Sequence, residues 1–237
     1  MAARCEGFER IRSPHGAILS VRSRTGHVTE MPSWQHLKHS VWIAISVACW
    51  FALVYGGCDW ITSLHSYRLS LGFEWERKLP FYPPAALVYM SIYPLFLLVP
   101  FVIRTKRDLD RVAVALVSLI GLSGLGFLFV PAHPISHANV HGFWGEVFHI
   151  ADAMNLNHNH LPSLHVGLAV ACVSSMSRQT SPLVGASLWI WAAAVAVSTL
   201  LLRQHYLVDV VTGWCLGMVC IRVVKWPPQF GPAGANP

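Results

Sequence analysis

The sequence predicts an all-α fold: an integral membrane six-helix bundle with both termini cytoplasmic. Three observations lead there. Of 237 residues, 54% are hydrophobic and 12% charged, whereas soluble domains carry about a quarter charged. The apolar residues gather into six segments: Val41 to Ile61, Pro84 to Ile103, Val112 to Val130, Leu164 to Met176, Leu183 to Leu202 and Tyr206 to Val224. Most approach the roughly 20 residues that cross a bilayer as helix. Lys and Arg divide thirteen against four between alternate sides, the smaller set being Arg68, Arg77, Lys78 and Arg203. The Lys/Arg-rich side stays cytoplasmic.

In chain order, residues 1–40 form a basic, flexible cytoplasmic tail. The tail has no apolar core of its own, so the first crossing is read as an uncleaved anchor. Glu6, Glu9 and Glu30 interrupt its basic run and argue against a transit peptide. Residues 41–226 form one membrane domain, and 227–237 a short C-terminal tail. The fourth segment is short: residues 163–176 span only about 20 Å at about 1.5 Å per residue. The net charge of +6 is accounted for by topology and anionic headgroups, so no nucleic-acid partner is implied. The six cysteines show no CxxC spacing and read as small packing residues. Gly213 and Gly217, with Gly121, Gly124 and Gly126, suit close helix contact. Trp34, Trp42, Trp60, Trp75 and Trp226 stand near segment ends, where an interfacial belt is expected.

The third connection, residues 131–162, has no Lys or Arg but six histidines: His133, His137, His141, His149, His158 and His160. A metal centre needs three or four ligands in fixed geometry, and no HExxH or CxxC pattern supplies one. The connection is read as a polar outer loop, with neither metal nor cofactor expected. His165 differs, because it stands where the loop meets apolar sequence. In "LPSLHVG", Pro162 stops any preceding helix and Ser163 is a favourable N-cap. The first helical turn then offers unpaired backbone N–H groups to an anion such as phosphate.

A second charged feature lies in "LRQHYLVDVVTG". Asp209 falls about one turn into a crossing, where a carboxylate is costly unless paired or functional. His205, four residues earlier, shares its helical face. The carboxylate fixes one imidazole nitrogen and leaves the other free as nucleophile or base. A buried pair that merely ties helices together is the structural alternative. His165 and His205 both begin helices at the same face, which favours a shared site. Two histidines and an aspartate suit phosphoryl transfer: one histidine attacks phosphorus, the aspartate orients it, and the second histidine protonates the leaving oxygen.

"PSLH" at residues 162–165 and "STLLLRQHYLVD" at 198–209 resemble the second and third signature motifs of the type 2 phosphatidic acid phosphatase superfamily. "LPFYPPAALVYMSIYP" at 79–94, together with Ser198 and Thr199 ahead of His205, is similar to its inositol phosphorylceramide synthase-like branch. The resemblance covers about residues 74–224 and implies a catalytic six-helix domain. It also implies that His205 forms a phosphohistidine, Asp209 orients it, and His165 serves as general acid and then base. Ser163 would hold phosphate oxygens, and Asn159 matches an asparagine of the branch. The usual Ser-Arg of the third motif is Ser198-Thr199 here. Arg77, Lys78 and Arg203 are the available substitutes for that missing cation; the alternative for each is an interfacial side chain snorkelling to headgroups.

The resemblance implies a metal-independent lipid phosphatase, acting at the outer leaflet on a phosphate monoester or diphosphate. Transfer of a phospho-headgroup to a lipid or polyol hydroxyl is the second reading. A non-catalytic lipid-binding module and a metal hydrolase built on the loop histidines are the others. The expected partners are the lipid phosphate and the bilayer, with no obligate protein partner. A bacterial inner membrane, with the site on its periplasmic or outer face, is the expected location.

Overall fold

The computed structural model describes residues 8–12, 18–22, 32–133, 135 and 140–224. Expectations that concern His137, Lys225, Trp226 and the 227–237 tail lie outside them. The chain divides into two compact units, residues 1–33 and 34–237. Within the first, β1 (Phe8–Arg12) pairs antiparallel with β2 (Ile18–Arg22), Arg10 opposite Ser20.

The second unit is helical. It comprises α1 (Trp34–Ser63), α2 (Ala86–Met90), α3 (Ile92–Val102), α4 (Lys106–Phe129), α5 (Phe143–Ala153), α6 (Leu164–Ser177), α7 (Pro182–Leu201) and α8 (Leu207–Val223). Short 3-10 turns at Glu74–Lys78 and Pro83–Ala85 precede α2. Each of the six apolar segments is helical. Four stretches are long and apolar enough to cross a membrane: Trp34–Ser63, Pro83–Val102, Lys106–Phe129 and Pro182–Leu201. By length and composition this is a membrane protein. α1 starts at Trp34, seven residues before the apolar run, because His36 and Ser40 turn inward and extend the helix through polar sequence. The second stretch breaks at Ser91, where Pro94 has no N–H to return to the Met90 carbonyl.

α6 is apolar on every side, and all its residues except His165 and Ser177 are buried. A helix of that pattern belongs at the centre of a bundle, and α3, α4, α7 and α8 surround it. Two glycines of α8 set the closest approach. A Cβ at Gly217 would meet the Gly167 carbonyl oxygen at 2.6 Å, and one at Gly213 would overlap the Ser163 carbonyl. Gly217→Val therefore wedges α8 away from α6. The expected cost is about 1–3 kcal/mol of stability, read as a lowered Tm in detergent; an unchanged Tm refutes the contact.

The segment above α6 folds inward instead of rising as a free loop. Asn159 Nδ2 donates to the Tyr55 carbonyl at 2.6 Å, the Leu156 N–H donates to Tyr55 Oη at 3.2 Å, and His158 pairs with Asp59 at 3.0 Å. Irregular backbone is tolerated at such a place because protein, not lipid, surrounds it. This accounts for the shortness of α6. The plain outer loop expected for residues 131–162 is corrected in one more respect, since it contains α5. Trp144, Phe148 and Ala151 repeat at four and three residues, and Phe148 and Ala151 are fully buried on that face.

Candidate active site

Chain order brings three polar pieces together beside the N-termini of α6 and α8. His205 stands in the tight turn that follows α7, just ahead of α8 and not within it. That turn hangs on Thr199, whose carbonyl accepts from the Gln204 N–H at 2.9 Å and the His205 N–H at 3.4 Å. Asp209 occupies the first turn of α8, fully buried, and Oδ2 accepts the Tyr206 N–H at 2.8 Å. The same Oδ2 lies 3.6 Å from His205 Nδ1, within ion-pair range and beyond hydrogen-bond range. His205 Nδ1 and Asp209 Oδ1 are buried without hydrogen-bond partners among the described residues.

His205 lines a cavity of about 470 Å³ with Ser70, Glu76, Arg77, Leu79, His133, Ile135, Leu200, Arg203 and Tyr206. With Nδ1 turned inward toward Asp209, Nε2 is the nitrogen left for the cavity. Arg77 and Arg203 therefore share a space with the histidine, whereas Lys78, as exposed as Arg77, does not line it. Arg203 adopts φ +54°, a left-handed backbone that costs a non-glycine residue about 1–3 kcal/mol. Its Nη2 donates to the Leu79 carbonyl at 3.0 Å and to the Arg77 carbonyl at 3.3 Å, which holds the side chain across the cavity.

Glu76 was not singled out from the sequence. It is buried, and its carboxylate accepts the N–H groups of Phe73 and Leu207. Glu76 and Asp209 together occupy the first donors of α8, where the helix dipole favours negative charge. The N-terminus of α6 is arranged differently. Ser163 takes the expected N-cap position, and its side chain makes no capping hydrogen bond there. Its N–H donates to the Asp209 carbonyl at 2.9 Å, and its fully buried Oγ has no partner among the described residues.

His165, in the first turn of α6, does not line the His205 cavity. Its ring stacks on Tyr89 with centroids 4.2 Å apart and meets Tyr93 edge-on at 6.3 Å. Nδ1 is 3.1 Å from Tyr89 Oη. His165 and His205 are near enough to interact electrostatically.

The ring packed against His205 is that of His160, with centroids 5.9 Å apart. From the sequence His160 read as a loop residue. It is buried, with Nε2 3.1 Å from the Asn157 carbonyl and Nδ1 3.3 Å from the Gln204 carbonyl. Burial, and then the neighbouring His205, push its pKa below the ordinary 6.5. His160, His205 and Asp209 each bring a ligand-capable atom within 4.8 Å of the others, so among the described residues this trio is the group able to hold a metal ion.

Two candidates stand apart. Asn159 is buried with Nδ2 committed to α1. Ser198 is buried in α7, its hydroxyl donating to the Val195 carbonyl at 2.6 Å. It borders a separate apolar groove of about 630 Å³ between α7 and the Tyr82–Val88 stretch. The remaining loop histidines are scattered: His149 Nε2 is 3.1 Å from the Val140 carbonyl, and His158 is held by Asp59.

The arrangement presents an imidazole backed by a buried carboxylate, opening on a cavity with two guanidinium groups. Such a site can take a phosphate group. No curated protein and no solved structure matches the chain. Comparison with protein families matches residues 62–223 to the PAP2 superfamily, a stretch that contains His165, His205, Asp209 and both cavity arginines. With more than half its length so matched, the chain belongs to the PAP2 superfamily, whose members are generally phosphatases.

Proposed function

We propose that this chain is a lipid phosphatase that hydrolyses a phosphate monoester or diphosphate through a phosphohistidine. The observation that carries the reading is the His205–Asp209 pair opening on the cavity that holds Arg77 and Arg203. His205 Nε2 attacks phosphorus, and the phosphorus–oxygen bond to the lipid breaks. His165 gives its proton to the departing oxygen, then removes one from the water that cleaves the phosphohistidine. Asp209 stabilises the imidazolium; its 3.6 Å separation from Nδ1 shortens when substrate binds, as catalytic hydrogen bonds do on loading. Arg77 and Arg203 offset charge on the phosphate oxygens, and Ser163 Oγ with the first N–H groups of α6 adds donors.

In this reading the chain crosses the bilayer six times with both termini cytoplasmic, as the Lys/Arg division favours. The cavity then opens at the outer leaflet, on the periplasmic side of a bacterial inner membrane, and lipid chains stay in the bilayer while the phosphate is processed. Transfer to a lipid or polyol hydroxyl is the second reading, favoured by Ser198 and Thr199 at the position of the synthase-like branch. The hydroxyls of both are bonded within α7, which supports a role in shaping the turn before His205.

Product analysis decides among these. The purified protein in vesicles receives phosphatidate, phosphatidylglycerol phosphate or a polyprenyl diphosphate, with chelator present and His205→Ala alongside. Free phosphate from the native protein alone is the expected result. A headgroup-exchanged lipid without free phosphate establishes transfer. Activity lost to chelator and restored by zinc moves the chemistry to the His160, His205 and Asp209 trio as a metal site. No product from any lipid overturns the enzyme reading in favour of a lipid-binding module.

A further inference from the structure

The apolar groove between α7 and residues 82–88 borders the His205 cavity at a single join. The Tyr82 N–H donates to the Leu201 carbonyl at 3.0 Å, tying the end of α7 to the segment ahead of α2. Leu79 and Leu200 line the cavity on one side of that join, and Tyr82 and Leu201 line the groove on the other. From the join the groove follows α7 back through Val197 and Ala194 to Ala193, about 12 Å of helix at about 1.5 Å per residue. That part of α7 belongs to a stretch long and apolar enough to cross a membrane. The groove therefore runs from the level of the site into the hydrocarbon.

Small side chains make the groove. Ala193 and Ala194 are exposed on one helix face between Ile190 and Val197, which are 72% and 52% exposed. Leu87 stands exposed on the facing rim, and Ala85 and Ser198 are buried beneath. The Ser198 hydroxyl is turned onto the Val195 carbonyl at 2.6 Å. Trp144 reaches the groove from α5, which packs on the Pro83–Ala85 turn. The groove lining carries no charged residue, whereas the cavity beside it holds Arg77 and Arg203. Together the two spaces match an amphiphile with an anionic head and an apolar tail. A volume of about 630 Å³ lies within the range of about 300–1,000 Å³ that small-molecule sites occupy.

We propose, on the reading of the chain as a lipid phosphatase, that the groove seats one alkyl chain of the substrate while its phosphate lies in the cavity. Ala193 and Ala194 are the residues that admit the chain. Bilayer hydrocarbon is as apolar as the groove, so seating the chain adds little to affinity. It supplies orientation instead: a chain held along α7 fixes the approach of phosphorus to His205, where a misplacement of about 1 Å costs about 10²-fold.

Hexadecyl phosphate and butyl phosphate present the same primary monoester and differ in chain alone. In vesicles, Ala194→Trp fills the groove and is expected to lower turnover of hexadecyl phosphate at least about tenfold, leaving butyl phosphate within about twofold. Ala194→Leu should give a smaller loss in the same direction. Leu183→Trp adds the same ring at the far end of α7, outside the groove, and should affect neither substrate. Unchanged hydrolysis of hexadecyl phosphate in Ala194→Trp, or equal losses on both substrates, overturns the proposal. A readout independent of turnover uses His205→Ala and a hexadecyl phosphate with a diazirine midway along its chain. Light should attach it to residues 82–88 and 193–201, and unmodified hexadecyl phosphate, but not hexadecanol, should suppress the label. Suppression by hexadecanol as well, or no label there, means that ordinary bilayer lipid alone fills the groove and equally overturns the proposal. If the label behaves as expected and the native protein hydrolyses neither phosphate, the groove stands and the phosphatase reading falls.

Discussion

Turnover of His205→Ala is expected to fall by at least about 10⁴-fold, because no other imidazole in the cavity is backed by a carboxylate and loss of a nucleophile removes the covalent route entirely. His133 also lines the cavity, and among the described residues no buried acid is paired with it. Asp209→Asn is the subtler variant. Its amide oxygen still accepts the Tyr206 N–H, so the start of α8 is kept, while the charge that steadies the imidazolium is gone. A loss of about 10²- to 10⁴-fold is expected, the usual worth of a positioned acid–base partner. Brief exposure to labelled substrate followed by a denaturing quench should leave phosphate on histidine in the native protein and none in His205→Ala. Native rates in His205→Ala would refute the nucleophile assignment outright.

The cavity arginines give the second large effect. Arg77→Gln and Arg203→Gln each remove a guanidinium from the space that His205 faces. Each is expected to lower turnover by about 10²- to 10³-fold, comparable with losing a donor to developing oxyanion charge. Arg203→Gln also releases the Leu79 and Arg77 carbonyls, so its effect on substrate affinity should be the larger of the two. Lys78→Gln is the control. It does not line the cavity that holds His205, so turnover should stay within about twofold. Equal rates for all three variants would remove the case that they replace the motif arginine.

Much of the architecture was legible because membrane helices announce themselves by composition alone. Twenty apolar residues have few other stable conformations, which is why the run at Leu183 marks α7 to within one residue at each end and the run at Val112 marks all but the polar first turns of α4. α5 escaped notice because its apolar face is only three residues wide and lies among histidines and glycines. The site divides in the same way. His205 and Asp209 are four residues apart, and His165 follows a helix-stop signal, so local rules suffice to pick them out. His160 gave no local sign: its contact with His205 spans 45 residues of chain and depends on the inward fold of the loop over α6. Tyr82, Trp144 and Ala194 lie far apart in the chain, and no spacing rule connects them.

The sequence by itself determined that this is a helical membrane protein, and that His165 and Asp209 stand in first helical turns with His205 just ahead of one, because hydropathy acts within a few residues. Only the tertiary structure decided which cations share the space with His205, that His160 sits against it, and that the ring of His165 stacks on Tyr89. Those outcomes depend on contacts between distant segments at van der Waals and hydrogen-bond separations. A change of one rotamer or one residue in register would alter them while leaving hydropathy and motif spacing untouched.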